Sequence, residues 1–213
     1  MTSAAVLHPH PDENGRPVIL HHPSLPTPLD HWSTPDRIAT VIPGGAMPPV
    51  LNGIAVAPCA FASPAGVPDI APPIDEPAFA LPPGFRAAAG TVIVEDDGRV
   101  WLVAPSNGFG GYRATFPKGR VDPGGTLQHT ALREAFEESG LVVGLLAFLL
   151  DVRRTQTYTR YYIARRLAGS PAAMGWETQA VHLVPKGDLE RIAVHPNDAA
   201  VIRAARAWMD LFA

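Results

Sequence analysis

A single cysteine, Cys59, stands in 213 residues. Its isolation excludes an internal disulfide and a thiolate zinc site, and a lone Cys reads first as a small hydrophobe. No run of 18 apolar residues occurs, so no segment is built to cross a bilayer as a helix. A basic segment followed by an apolar core is also missing at the N-terminus, so no secretory signal is visible and a cytoplasmic protein is expected. Charge is sparse, at 17% of residues with a net −3. That leaves no basic field for bulk nucleic acid. Length and a 46% hydrophobic content allow a sizeable core in one large or two small domains.

Residues 1–85 have little room for regular structure, because they hold 18 of the 24 prolines. Proline is excluded from helix interiors and central strands. Short Val/Ile runs at Pro17–His21, Arg37–Ile42 and Asn52–Ala57 nevertheless alternate with P-G-G and N-G turns, and Trp32, Phe61 and Phe79 offer packing anchors. The expectation is an irregular, partly β arm over the rest of the chain or across a homodimer. His8, His10, His21, His22 and His31 match no metal-site spacing and read as loop histidines.

The texture changes at Arg86. Ala87–Glu95 and Arg99–Ala104 are apolar runs joined by D-D-G, a hairpin signal. Ser106–Gly111 reads as a flexible loop, Tyr112–Phe116 as a further strand, and Val142–Val152 as a long core strand. The alternation around Tyr158–Ile163 marks another strand, and Trp176–Val184 one more. A final helix carries Val201, Ala204, Ala205, Trp208 and Leu211 as its apolar stripe, with Asn197 or Asp198 to cap it.

Between these elements lies G-R-V-D-P-G-G-T-L-Q-H-T-A-L-R-E-A-F-E-E-S-G-L, residues 119–141. Read as a helix over 126–139, it puts Glu134, Glu137 and Glu138 at i, i+3 and i+4 within an arc of roughly 100°. Ala131, Leu132, Ala135 and Phe136 fall on the other side. Asp122 or Thr126 can cap the start, and Gly140 suits the left-handed stop. No lysine stands four residues along to relieve the carboxylates. Such a face is either solvated or the oxygen-donor site of a hard divalent cation.

This stretch resembles the signature of the Nudix hydrolases, G-x5-E-x7-R-E-U-x-E-E-x-G-U with U aliphatic. It matches at Gly119, Arg133, Glu134, Ala135, Glu137, Glu138, Gly140 and Leu141, and departs where the first Glu falls on Gly125. The resemblance implies an α/β fold: an α/β/α sandwich with a mixed, curved sheet over 86–213, beside the arm of 1–85. It implies that Glu134, Glu137, Glu138 and the Gly119 carbonyl bind Mg2+ or Mn2+, and that Arg133 orients the carboxylates. Asp122 is close enough in sequence to compensate in part for Gly125. Glu177, after a late loop, is a candidate general base.

The implied reaction is hydrolysis of a nucleoside diphosphate linked to another moiety. The P-K-G entry points first to dinucleoside polyphosphates, with ADP-ribose and nucleotide sugars open and a catalytically weak nucleotide-binding module as the competing class. Lys118, Arg120, Arg153, Arg154 and Arg160 are the expected phosphate contacts, with Tyr158 set to stack on a base.

Overall fold

Proline spacing leaves the arm only short strands, and these are what form. The computed structural model describes residues 6–60 and 73–211; Phe61, one of the expected anchors, lies outside them. β1 (Val6–Leu7) and β2 (Ile19–Leu20) make one antiparallel pair. β3 (Ala39–Val41) follows. β4 (Val50–Leu51) and β5 (Ile54–Ala55) close a second hairpin on Asn52 and Gly53, both at positive φ. That is the backbone a tight N-G turn demands.

The expected D-D-G hairpin joins β6 (Arg86–Val94) to β7 (Arg99–Pro105). Their ladder holds only at Ile93–Trp101 and Val94–Val100 before the strands part. Below the split β7 bridges to Thr115, and β6 takes β8 (Lys118–Arg120) as its partner. The strand expected over Tyr112–Phe116 is therefore a single bridge. α1 (Leu127–Ser139) leads into β9 (Leu141–Arg153) and β10 (Thr157–Gly169), which pair antiparallel, while β10 runs parallel to β6. β11 (Thr178–Pro185), the short α2 (Leu189–Ile192) and α3 (Ala199–Leu211) complete the chain. The main sheet runs β3-β11-β7-β6-β10-β9, with β8 beside β6. Asp198 does not cap α3, since it is spent on Arg154 at 2.9 Å; the His195 imidazole instead accepts from the Asn197 N–H at the turn before the helix.

Helices cover both faces. Ala131, Leu132 and Ala135 of α1 pack on Ile93, Val143 and Tyr162, while Val201, Ile202 and Ala205 of α3 pack on Val92, Phe116 and Ile163 opposite. The arm belongs to the α1-side core. Trp32 lies against Trp101 with ring centroids 5.8 Å apart, and Ala39, Val41 and Leu51 fill in beside them.

Three buried arginines then clasp the arm through its carbonyls, which proline-rich backbone leaves without regular partners. Arg99 donates to the carbonyls of His31 (2.9 Å) and Trp32 (2.6 Å). Arg166 donates to Leu51 O (2.7 Å) and pairs with Glu95, and Arg160 reaches Pro77 O (2.7 Å) and Glu76.

At the sheet edge, the Thr40 hydroxyl meets His182 Nδ1 at 2.9 Å. Burial pushes the His182 imidazole down to about 4 from 6.5. Between those values the unfolded chain binds a proton that the folded one refuses, so stability is lost as pH falls from 6.5 toward 4. The loss reaches up to about 3 kcal/mol at pH 4. Because the raised carboxylates of Glu134 and Glu138 gain stability as pH falls, the His182 contribution is read as a difference. Across that window the native protein is expected to lose melting temperature relative to His182→Gln, and equal slopes would show that His182 is free to protonate.

Candidate active site

Thr126 caps α1 by accepting from the His129 N–H at 3.1 Å, and Gly140 ends the helix at φ 70°. Ala131 and Ala135 are small enough to bring the helix close over the split between β6 and β7, where β8 enters. Two of the three carboxylates therefore do not face water: Glu134 is 6% and Glu138 8% exposed. Their acidic stripe is turned toward β8. The Lys118 N–H donates to Glu138 Oε2 at 2.9 Å. Gly119 lies so tight against Glu134 that a Cβ there would sit 2.0 Å from Oε1.

Arg133 ties the group together. Its guanidinium is 2.9 Å from Glu134, 2.5 Å from Glu137 and 3.4 Å from Asp122, and it also donates to the Arg120 carbonyl. Asp122 thus brings a carboxylate to this arginine where the signature's first Glu is replaced by Gly125. Burial raises the pKa of Glu134, and the neighbouring Glu138 charge adds to the rise; burial also raises Glu138, against the pull of Lys118. Glu137 is raised by burial and lowered by Arg133.

Buried, mutually repelling carboxylates are the donor chemistry a hard divalent cation takes, so the residues fit Mg2+ or Mn2+. Among the described residues, however, no three such side chains are already converged on one point, because Arg133 occupies the space between Glu134 and Glu137.

Gly119→Ala tests the closeness of this packing. The added methyl must displace the Glu134 carboxylate from Arg133, while the open edge of β8 absorbs the rest. Turnover is expected to drop at least tenfold with a melting temperature within a few degrees of the parent. Full activity would mean Glu134 need not hold its position.

The carboxylates open onto a cavity of about 470 Å3 lined by Arg133, Glu134, Glu137, Trp176 and Glu177, with His10 and Glu13 from the arm. The loop carrying Trp176 and Glu177 is fixed at both ends. The Gly175 N–H donates to Glu137 O at 2.8 Å, and Ser106 binds the carbonyls of Glu177 and Trp176, each at 2.7 Å. Burial raises the Glu177 carboxyl, with Lys118 opposing.

Other sequence assignments fall elsewhere. Lys118 Nζ is 3.9 Å from Glu138, whereas Arg120 is exposed on β8. Arg153 lies over the Phe85 ring, and Tyr158 packs on Phe79. Arg154 and Arg160, expected to bind phosphate, are interior. Arg154 donates to Asp198, Tyr161 and Tyr112, and Arg160 is held by Asp151 and Glu76. Two of their acidic partners, Asp198 and Glu76, stand 44 and 84 positions away, and even Asp151, nine positions from Arg160, is brought to it only by the pairing of β9 with β10. The sequence marks His10 only as a loop histidine and Trp176 only as the start of a strand, because no spacing rule links residues 10 and 13 to residue 176.

The comparisons with known proteins agree on one domain. A family profile described as NUDIX domain matches residues 84–211. An RNA pyrophosphohydrolase of Caulobacter vibrioides is 35% identical over 99 residues, covering 46% of this chain and 54% of that protein. One from Erwinia tasmaniensis is 31% identical over 122 residues, covering 55% and 61%. The chain thus spans little more than half the length of these relatives. Among solved structures, a NUDIX hydrolase from Nitrosomonas europaea superposes with a TM-score of 0.51 at 16% identity, over 58% of this chain and 90% of that one.

Proposed function

The chain belongs to the Nudix family, and on that premise we propose that it is a metal-dependent hydrolase of a phosphoanhydride bond in a nucleoside diphosphate linked to another moiety, dinucleoside polyphosphates first. The observation that carries this reading is Arg133 gripping Glu134 and Glu137 at the mouth of a nucleotide-sized cavity. Glu134, Glu137, Glu138 and the Gly119 carbonyl would hold Mg2+ or Mn2+. When bound, the cation supplies charge that neutralises pyrophosphate oxygens and acidifies water.

The chain's own groups do the rest. Arg133 holds Glu134 and Glu137 by charge-assisted hydrogen bonds and keeps both carboxylates at the cavity. The attacking water gives its proton to a carboxylate, either Glu137 or Glu177 of the cavity or the neighbouring Glu138. Its oxygen joins phosphorus as the bridging P–O bond breaks, and the leaving phosphate carries away the electron pair. The stapled 173–177 loop holds Glu177 in place for this.

The test is release of phosphate or nucleotide from diadenosine tetraphosphate, ADP-ribose, UDP-glucose and 5′-triphosphorylated RNA, with Mg2+, Mn2+ or EDTA. Turnover that needs the metal and is greatest on diadenosine tetraphosphate is expected. No turnover with either metal would instead favour a nucleotide-binding module.

A further inference from the structure

The β1–β2 hairpin is pinned at both ends of its loop. His8 is buried at 5% exposure. Its Nδ1 accepts from the His10 N–H at 3.0 Å, which leaves Nε2–H to donate to Thr178 O at 3.1 Å. At the far end, Asn107 accepts from the His21 N–H and donates to Ile19 O, both at 2.8 Å. Between the pins, Asp12 Oδ1 accepts from the Asn14 and Arg16 N–H groups and shapes the tip. The tip therefore has a defined place, and that place is the wall of the acidic cavity, where His10 and Glu13 stand with Trp176 and Glu177.

These residues differ in kind from those of the catalytic side. Glu134 and Glu137 are engaged by Arg133. The His10 imidazole and the Trp176 indole have no side-chain hydrogen bond among the described residues; both residues line the open volume, and the His10 ring lies tilted 5.7 Å from that of His8. Planar rings with free edges suit a flat heterocycle, and stacking tolerates any base. Glu13 adds selectivity, because a carboxylate only accepts: it pairs with an exocyclic amino group, whereas the N3–H of uracil is flanked by two carbonyl oxygens that repel it.

We propose that His10, Glu13 and Trp176 form a nucleobase subsite, in which the two rings hold the base and Glu13 prefers an amino-bearing base such as adenine to uracil. The subsite rests on the hydrolase reading above, since the phosphates would then point to Arg133 and the α1 carboxylates.

The experiment measures equilibrium binding of α,β-methylene-ADP and α,β-methylene-UDP in Mg2+; their bridging carbon prevents cleavage. The native protein is expected to bind the adenine probe at least fivefold more tightly. Glu13→Gln should bring the two affinities within twofold, and His10→Ala should weaken both by about tenfold. Both residues are exposed on a hairpin tip, so the variants are expected to keep the parent melting temperature. Equal binding of the two probes by the native protein, or variants that bind as the parent does, would overturn the subsite and leave the hydrolase reading standing. If the native protein binds neither probe and cleaves nothing in the substrate panel, both fall.

Discussion

Glu138→Gln is expected to lower turnover at least a hundredfold without loss of stability. The carboxylate is buried at 8% exposure, one helical turn from Glu134. It accepts from the Lys118 N–H, a bond that the amide oxygen of Gln can still make. What the substitution removes is charge: the proposed cation ligand or proton acceptor, and a like charge in an interior already short of solvent. Activity should therefore collapse while the metal-free melting temperature holds or rises, the usual trade between a strained site and stability. Glu137→Gln is the milder companion. Its side chain is a third exposed, and losing the Arg133 pair should cost little stability but at least tenfold in rate. Full Mg2+-dependent activity in either variant would remove that carboxylate from the reaction.

The second large effect is expected from deleting residues 1–80. Trp32, Val41 and Leu51 are each at most 4% exposed in the core shared with α1. Burial of such side chains contributes about 1.5–3 kcal/mol each. Their removal would also bare Trp101, Val181 and Leu183, and the combined loss rivals the 5–15 kcal/mol that holds a typical domain together. The truncated chain should be insoluble or melt without a cooperative transition. A cooperative melt within a few degrees of the parent would make the arm an ornament. If the truncation cannot be purified, Trp32→Ala gives the graded version, with an expected loss of about 3–5 kcal/mol.

The α1 segment was the legible part of this chain. Its cap at Thr126, its stop at Gly140 and the facing of its carboxylates follow from local geometry, which operates over four residues or fewer. The α3 stripe was legible only in part: Val201 and Ala205 are buried as expected, but Ile202 and Met209 are buried with them and Leu211, at the end of the helix, is 80% exposed. Local rules could not show that Glu134 and Glu138 are buried, because that depends on β6 and β7 parting to admit β8. Nor could they show that Arg99, Arg160 and Arg166 grip the arm. A buried arginine and an exposed one look alike until their acceptors are placed, and Arg160 finds Pro77 O across 83 positions of chain. The proline content of the arm correctly excluded long strands, but it carried no sign that a three-residue strand would close the sheet.

That closing strand sets a schedule for folding. Thr40 meets His182 across 142 positions of chain. β3 leaves the ribosome early and its partner β11 emerges among the last elements. At roughly 5–20 residues per second, the arm must wait on the order of ten seconds for an edge to join. Through that interval Trp32, Val41 and Leu51 have no core to enter. The prolines around them then act as a kinetic safeguard, because segments so interrupted are poor templates for pairing with another nascent chain.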